Sequence, residues 1–358
     1  MSRTIPILLL ALFSPIASAG VETGSINGAE YRIDLPDNWN GTLIVYCHGY
    51  SPTPAKFDAS RPSNMAPLAL AGFAVIQSGY SAGGWAVEEA LLDTEALRRH
   101  FIAKHGKPKE TWVMGHSMGG FLTMAILEKY PSGYDGGLAL CGPLASAAWF
   151  MERRVFDMRV VFDYYFPEAL PNPAKAPAAF AMTAEMNKTI EALLDSKPEQ
   201  SAAMRRWSGI RSNKELASGL VFFTFILKDL RERGGGNPFD NRDTIYDGTA
   251  DDNALNDGVA RYEADARAVE YLRTYYSPTG RLSRPMLAIH TTYDPLVPPW
   301  TPNMYAILAR QAGSEALFAQ QYVKRPGHCA ISPAEMAEGL RQLREWKQSG
   351  RRPVQTAR

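Results

Sequence analysis

Cysteine is scarce in these 358 residues: there are three, Cys47, Cys141 and Cys329. An odd number spaced so widely excludes a disulfide-knit scaffold and offers no CxxC pair for zinc. Small buried thiols are the expected state of all three, against a single disulfide with one thiol left over. An excess of charge is missing as well. With 38 basic and 37 acidic residues the formal net charge is +1, which leaves no field to draw nucleic acid or an anionic bilayer. No apolar run reaches the ~20 residues that a membrane-crossing helix needs, so no stable membrane anchor is expected. There is no internal repeat, and neither a metal nor a cofactor is indicated.

What is present begins with MSRTIPILLLALFSPIASAG. Arg3 precedes an apolar stretch at residues 5–13, and Ala17-Ser18-Ala19 offers small residues for cleavage. That is the layout of an export signal removed after Ala19. Ser14 and Pro15 cut the run short of an anchor, and no cysteine follows it to carry a lipid. The mature chain is therefore expected in the periplasm or the extracellular medium.

Short apolar runs then recur between helix-like segments: TLIVYC from Thr42, FAVIQS from Phe73, TWVMG from Thr111, LALC from Leu138, MLAIH from Met286 and FAQQYV from Phe318. Strands alternating with helices predict a mostly parallel sheet covered on both faces, with YRIDLP at Tyr31 as an earlier antiparallel strand. Helices are expected over 87–105, 121–130, 303–312 and 333–348. The rhythm breaks for about 140 residues, too long for a loop. The expected division is an export segment at 1–19, core at 20–143, a helical cap at 144–283, core again at 284–348 and a flexible tail at 349–358.

The cap's first part is aromatic (Trp149, Phe150, Phe156, Phe162, Tyr164, Tyr165, Phe166, Trp207, Phe222, Phe223, Phe225), and most of these side chains are expected to form the cap's own core. Its second part, RERGGGNPFDNRDTIYDGTADDNALNDG, is rich in turn residues. A calcium loop starting at Asp247 fails, because Gly258 stands where a bidentate glutamate is required.

The stretch TWVMGHSMGGFLTMAILEKY sets Ser117 in a G-x-S-x-G pattern, Gly115 to Gly119, between a strand and a helix. There the serine would project from a strained turn, and the glycines would remove side chains from a crowded crossing. A serine hydroxyl is a weak nucleophile until a base takes its proton, and that base needs an orienting carboxylate. HTTYDPLVPP supplies Asp294 after a strand, and RPGHCAIS supplies His328 after the last one. The order Ser117, Asp294, His328 suits a strand-turn-helix nucleophile. YCHGYSP, after an early strand, offers the Tyr50 amide, with that of Met118, as donors for a developing oxyanion. His116 is expected to point away from Ser117, His48 to be structural, His100 and His105 to sit on or beside a solvated helix, and His290 to lie behind the acid. Asp251, Asp252 and Asp257 are rival acids. SGYSAGGWAVEE could place Tyr80 or Trp85 in a pocket wall.

Taken together, HGY, GHSMGG, YDPLVP and PGHC resemble the oxyanion turn, nucleophile elbow, acid and histidine of the α/β-hydrolase superfamily, over about residues 31–141 and 284–346. The chain is similar to secreted bacterial serine esterases and peptidases that carry a helical cap between core strands six and seven. The resemblance implies acyl transfer through an acyl-enzyme without a cofactor, and a small-molecule or polymer-derived ester as substrate. A serine peptidase or amidase, an acyltransferase, and a catalytically silent binding protein on the same scaffold are the alternatives.

Overall fold

The computed structural model describes residues 20–354; the expected export segment and residues 355–358 of the tail lie outside them. Eight strands form one sheet in the order β1-β2-β4-β3-β5-β6-β7-β8. They are β1 (Gly20–Ile26), β2 (Ala29–Leu35), β3 (Thr42–Cys47), β4 (Ala74–Ser78), β5 (Glu110–His116), β6 (Gly136–Leu140), β7 (Met286–Tyr293) and β8 (Phe318–Pro326). β1, β2 and β4 pair antiparallel, and β4-β3-β5-β6-β7-β8 run parallel.

The central parallel strands β3, β5 and β6 are apolar on both sides because helices cover both faces. Leu43, Val45 and Cys47 of β3 and Val113 of β5 face one layer, packed with α2 (Val87–His105) and α3 (Met118–Lys129). Ile44, Trp112 and Met114 face the other, formed by α1 (Ala66–Leu70) and α11 (Pro333–Ser349). All residues of α3 from Met118 to Leu127 are buried, so it is apolar all round rather than striped. α11 starts with a full capping box between Ser332 and Glu335, which satisfies two of the amides that a helix start leaves free. Gln321 Nε2 reaches the Val354 carbonyl at 3.0 Å, which lays the first residues of the tail along β8.

Sequence reading missed β1. Its signal was the Asn27-Gly28 pair, whose φ values of 52° and 85° suit a type I′ turn, joining β1 to β2 in a hairpin.

Between β6 and β7 lie a π-helical segment (Ala148–Phe156) and six helices: α4 (Asp157–Tyr165), α5 (Ala184–Ser196), α6 (Pro198–Ser208), α7 (Asn213–Gly234), α8 (Asp252–Gly258) and α9 (Ala266–Tyr276); α10 (Thr301–Gln311) follows β7. Phe150, Phe156, Phe162, Phe166, Phe223 and Phe225 are buried as expected of a cap core. Trp149 and Trp207 stand outside that core, with 52% and 37% of their surfaces exposed.

Candidate active site

The turn between β5 and α3 explains its own glycines. A Cβ on Gly115 would lie 2.4 Å from the Cys47 carbonyl oxygen, and one on Gly119 only 2.0 Å from the same atom. One on Gly120 would meet the Leu140 carbonyl at 2.7 Å. The elbow is thus wedged between the ends of β3 and β6, where no side chain fits. Ser117 takes φ 57° and ψ −120°, a sparsely populated conformation that costs roughly 1–3 kcal/mol and persists only where surrounding structure enforces it. Its amide donates to the Leu140 carbonyl at 2.9 Å.

The structure brings Ser117, His328 and Asp294 together. His328 Nε2 lies 2.9 Å from Ser117 Oγ, and Nδ1 lies 2.7 Å from Asp294 Oδ2. A carboxylate only accepts, so Nδ1 carries the proton and Nε2 faces the serine hydroxyl with a free lone pair. That is the tautomer a general base requires.

A bulge in the β7–β8 pairing between Thr291 and Tyr293 bends the chain just before Asp294. The acid is 3% exposed. Its Oδ1 accepts from the Leu296 and Val297 amides, both at 2.9 Å. His290, 1% exposed, donates from Nε2 to the Val297 carbonyl at 2.8 Å and lies 3.6 Å from Asp294 Oδ2. Burial alone would raise the Asp294 carboxyl, but His290, His328 and the Val297 amide together hold it well below the usual carboxylate range. The rival acids are engaged elsewhere: Asp251 caps α8 through the Ala254 amide, Asp252 binds Thr249, and Asp257 is part of α8.

The turn after β3 lies against the elbow. A Cβ on Gly49 would be 3.4 Å from Ser117 Cβ, which sets Tyr50 beside the nucleophile. Met118 opens α3, so its amide is one of the four that a helix leaves without an internal partner. His48 donates to the Gly49 carbonyl at 2.6 Å and stacks on Tyr80 at 4.0 Å. Burial, first of all, pulls the His48 pKa down. His116 points away from Ser117 to the Tyr46 hydroxyl at 3.1 Å, while His100 and His105 lie beside Glu22 of β1. His105 corrects the expectation of a solvated position, since its side chain is only 5% exposed.

Tyr80 also departs from expectation. It is 1% exposed, and its hydroxyl donates to the His48 carbonyl at 3.2 Å, so it braces the turn from behind rather than lining a wall. Trp85 is 2% exposed, with its amide bonded to Asp229 of the cap at 2.9 Å. Its indole N–H has no partner among the described residues.

The expectation of three thiols is corrected. Cys141 and Cys329 form a disulfide across 188 residues, and only Cys47 is free and buried. Distance along the chain concealed the pair. Cys141 follows β6 directly and Cys329 follows His328 after β8, and parallel packing brings these strand ends to one edge of the sheet. Cys329 Sγ lies 3.5 Å from His328 Nε2.

Two cap residues that the sequence did not single out, Arg154 and Glu215, and one that it did, Phe222, moor this centre. Arg154 donates to the Pro295 carbonyl at 2.6 Å, beside the acid, and Tyr293 donates to Glu215 of α7 at 2.8 Å. On the opposite side the Tyr50 ring packs edge-on against Phe222 of α7 at 4.9 Å. No sequence signal marks these contacts, because each joins residues from separate elements.

A family model described as "Serine aminopeptidase, S33" matches residues 43–206. None of the curated proteins matches the chain. Among solved structures, an esterase from Aspergillus oryzae aligns with a TM-score of 0.54 at 14% identity, over 93% of this chain and 80% of its own; at that identity the likeness is one of fold. A Pyrococcus horikoshii acylaminoacyl peptidase aligns with a TM-score of 0.47 at 12% identity, over 92% of this chain and 41% of its own. An esterase from Pyrococcus furiosus gives 0.47 at 14%, over 92% and 91%. The chain spans between 36% and 44% of the length of the first peptidase structures it matches.

Proposed function

We propose that this chain, which shares the fold of a solved esterase, belongs to the α/β-hydrolase superfamily and is a serine hydrolase that cleaves carboxylic esters through an acyl-enzyme. The observation that carries the reading is the line of contacts from Ser117 Oγ to His328 to Asp294 at 2.9 and 2.7 Å. His328 takes the serine proton as Oγ attacks the carbonyl carbon, and the amides of Tyr50 and Met118 hold the oxyanion. His328 then protonates the leaving alcohol. Water repeats the sequence and releases the acid. Asp294, whose carboxyl is held well below the usual range, stabilises the imidazolium formed in each half.

A peptidase reading is favoured by two observations. One is the family description of a serine aminopeptidase. The other is Asp229, an 8% exposed carboxylate on α7 that accepts from the Trp85 amide, in the part of the cap whose Phe222 packs on Tyr50. An acid there could receive a substrate amine. Export is proposed as well: residues 1–19 have the pattern of a signal, and a disulfide suits an oxidising compartment.

The test is the initial rate on p-nitrophenyl esters of increasing acyl length and on aminoacyl p-nitroanilides. Ser117→Ala and His328→Ala should remove turnover, and Asp294→Asn should lower kcat about 10⁴-fold. Full activity in either alanine variant refutes the triad. Preference for the anilides, lost in Asp229→Asn, replaces the ester reading with the peptidase one.

A further inference from the structure

Three of the ten large apolar side chains that the described surface leaves exposed, Trp149, Trp207 and Trp300, converge on one cleft. It encloses about 400 Å³ where the cap meets the core, and Arg153, Arg154 and Met304 complete most of its lining. Trp149, Arg153 and Arg154 come from the π-helical segment, Trp207 from α6, and Trp300 and Met304 from the start of α10. Two arginines line it, and no carboxylate does.

Arg154 is the unusual member. It is 5% exposed, and among the described residues it forms no ion pair. Its terminal nitrogens donate to the Ser208 and Pro295 carbonyls at 2.5 and 2.6 Å, and among the described residues its Nε has no hydrogen-bond partner. It also feels the Asp294 carboxylate and lies 6.0 Å from the centre of the Phe223 ring, but no described carboxylate pairs with it directly, and a buried guanidinium without a direct counter-ion gains from an anion that reaches it. Burial pushes its guanidinium down to about 10, which still leaves it charged at neutral pH. Arg153 is half exposed and paired with Asp157 at 3.3 Å, and the wall of the cleft itself carries both guanidinium groups and no carboxylate.

We infer that this cleft is a binding site for a small aryl carboxylate, separate from the triad. The indoles supply flat apolar faces for an aromatic ring, and the arginines supply the counter-charge for one carboxylate. A volume of about 400 Å³ suits a ligand with one or two rings and excludes a folded partner. The site does not depend on the hydrolase reading. Its link to the chemistry is Arg154, which holds the Pro295 carbonyl next to Asp294, so an anion that draws on this guanidinium also acts on the loop that carries the acid.

The experiment is calorimetric titration of the whole protein with 2-naphthoate and with its uncharged analogue 2-naphthylmethanol. The site predicts saturable naphthoate binding with Kd of about 0.1–1 mM and at least about tenfold weaker binding of the alcohol. Trp207→Ala and Trp149→Ala, at exposed positions that should fold normally, should each weaken naphthoate about fivefold. Arg153→Gln should weaken naphthoate and leave the alcohol unchanged. Blocking Ser117 with a phosphonylating probe should leave naphthoate binding as it was. Equal affinity for acid and alcohol, indifference to both tryptophan changes, or loss of binding on blocking Ser117 would each overturn the assignment.

Discussion

Removing the disulfide by Cys141→Ser with Cys329→Ser should lower both stability and turnover, by different mechanisms. The bond closes a loop of 188 residues that contains the whole cap, β7 and β8. In the chain-entropy treatment, closing a loop of that length removes about 18 cal/mol/K from the unfolded ensemble, about 5 kcal/mol at 25 °C. Measured bonds usually give about 2–4 kcal/mol, so the double variant should lose about 2–5 kcal/mol in urea denaturation. The effect on turnover comes from the backbone. Cys141 and Cys329 both hold positive φ, 47° and 54°, a region in which a non-glycine residue is disfavoured by roughly 1–2 kcal/mol. With the bond gone, Cys329 can relax to negative φ and carry the neighbouring His328 away from Ser117. A displacement of about 1 Å lowers turnover up to about 100-fold, so kcat on a p-nitrophenyl ester should fall about 10- to 100-fold with little change in KM, measured well below the unfolding transition. An unchanged urea midpoint would refute the entropy reasoning. Lost stability with unchanged kcat would refute the positioning of His328.

Two further predictions concern residues around the elbow. Gly119→Ala would place a methyl 2.0 Å from a backbone carbonyl, which neither β3 nor α3 can yield cheaply. It should cost at least about 1–3 kcal/mol and sharply reduce turnover, and wild-type stability by urea titration would contradict the packing described. His116, pulled down from 6.5 to about 4 by burial and then by His328, is kept neutral in the folded state while the unfolded chain protonates it more readily. Stability should therefore rise with pH between about 4 and 6.5, by up to about 3 kcal/mol. His116→Gln should flatten that part of the stability profile, and an undiminished slope would assign the dependence to other groups.

The sequence by itself determined the alternation of strands and helices, the elbow with its glycines, and the order of serine, acid and histidine. Those features are local: a strand of apolar residues, a turn that admits no Cβ, and a polar loop at a strand end each announce themselves within a few residues. β1 was legible too, through Asn27-Gly28, had the turn been weighed. What only the tertiary structure decided is which distant residues meet. The disulfide pairs cysteines 188 residues apart because parallel strands deliver their ends to one edge. Tyr80 supports the His48 carbonyl instead of lining a wall because β4 ends behind the turn after β3. Arg154, Asp229 and the three tryptophans gain their surroundings from the packing of cap on core. No spacing along a chain encodes such meetings, since they depend on how separately formed surfaces fit.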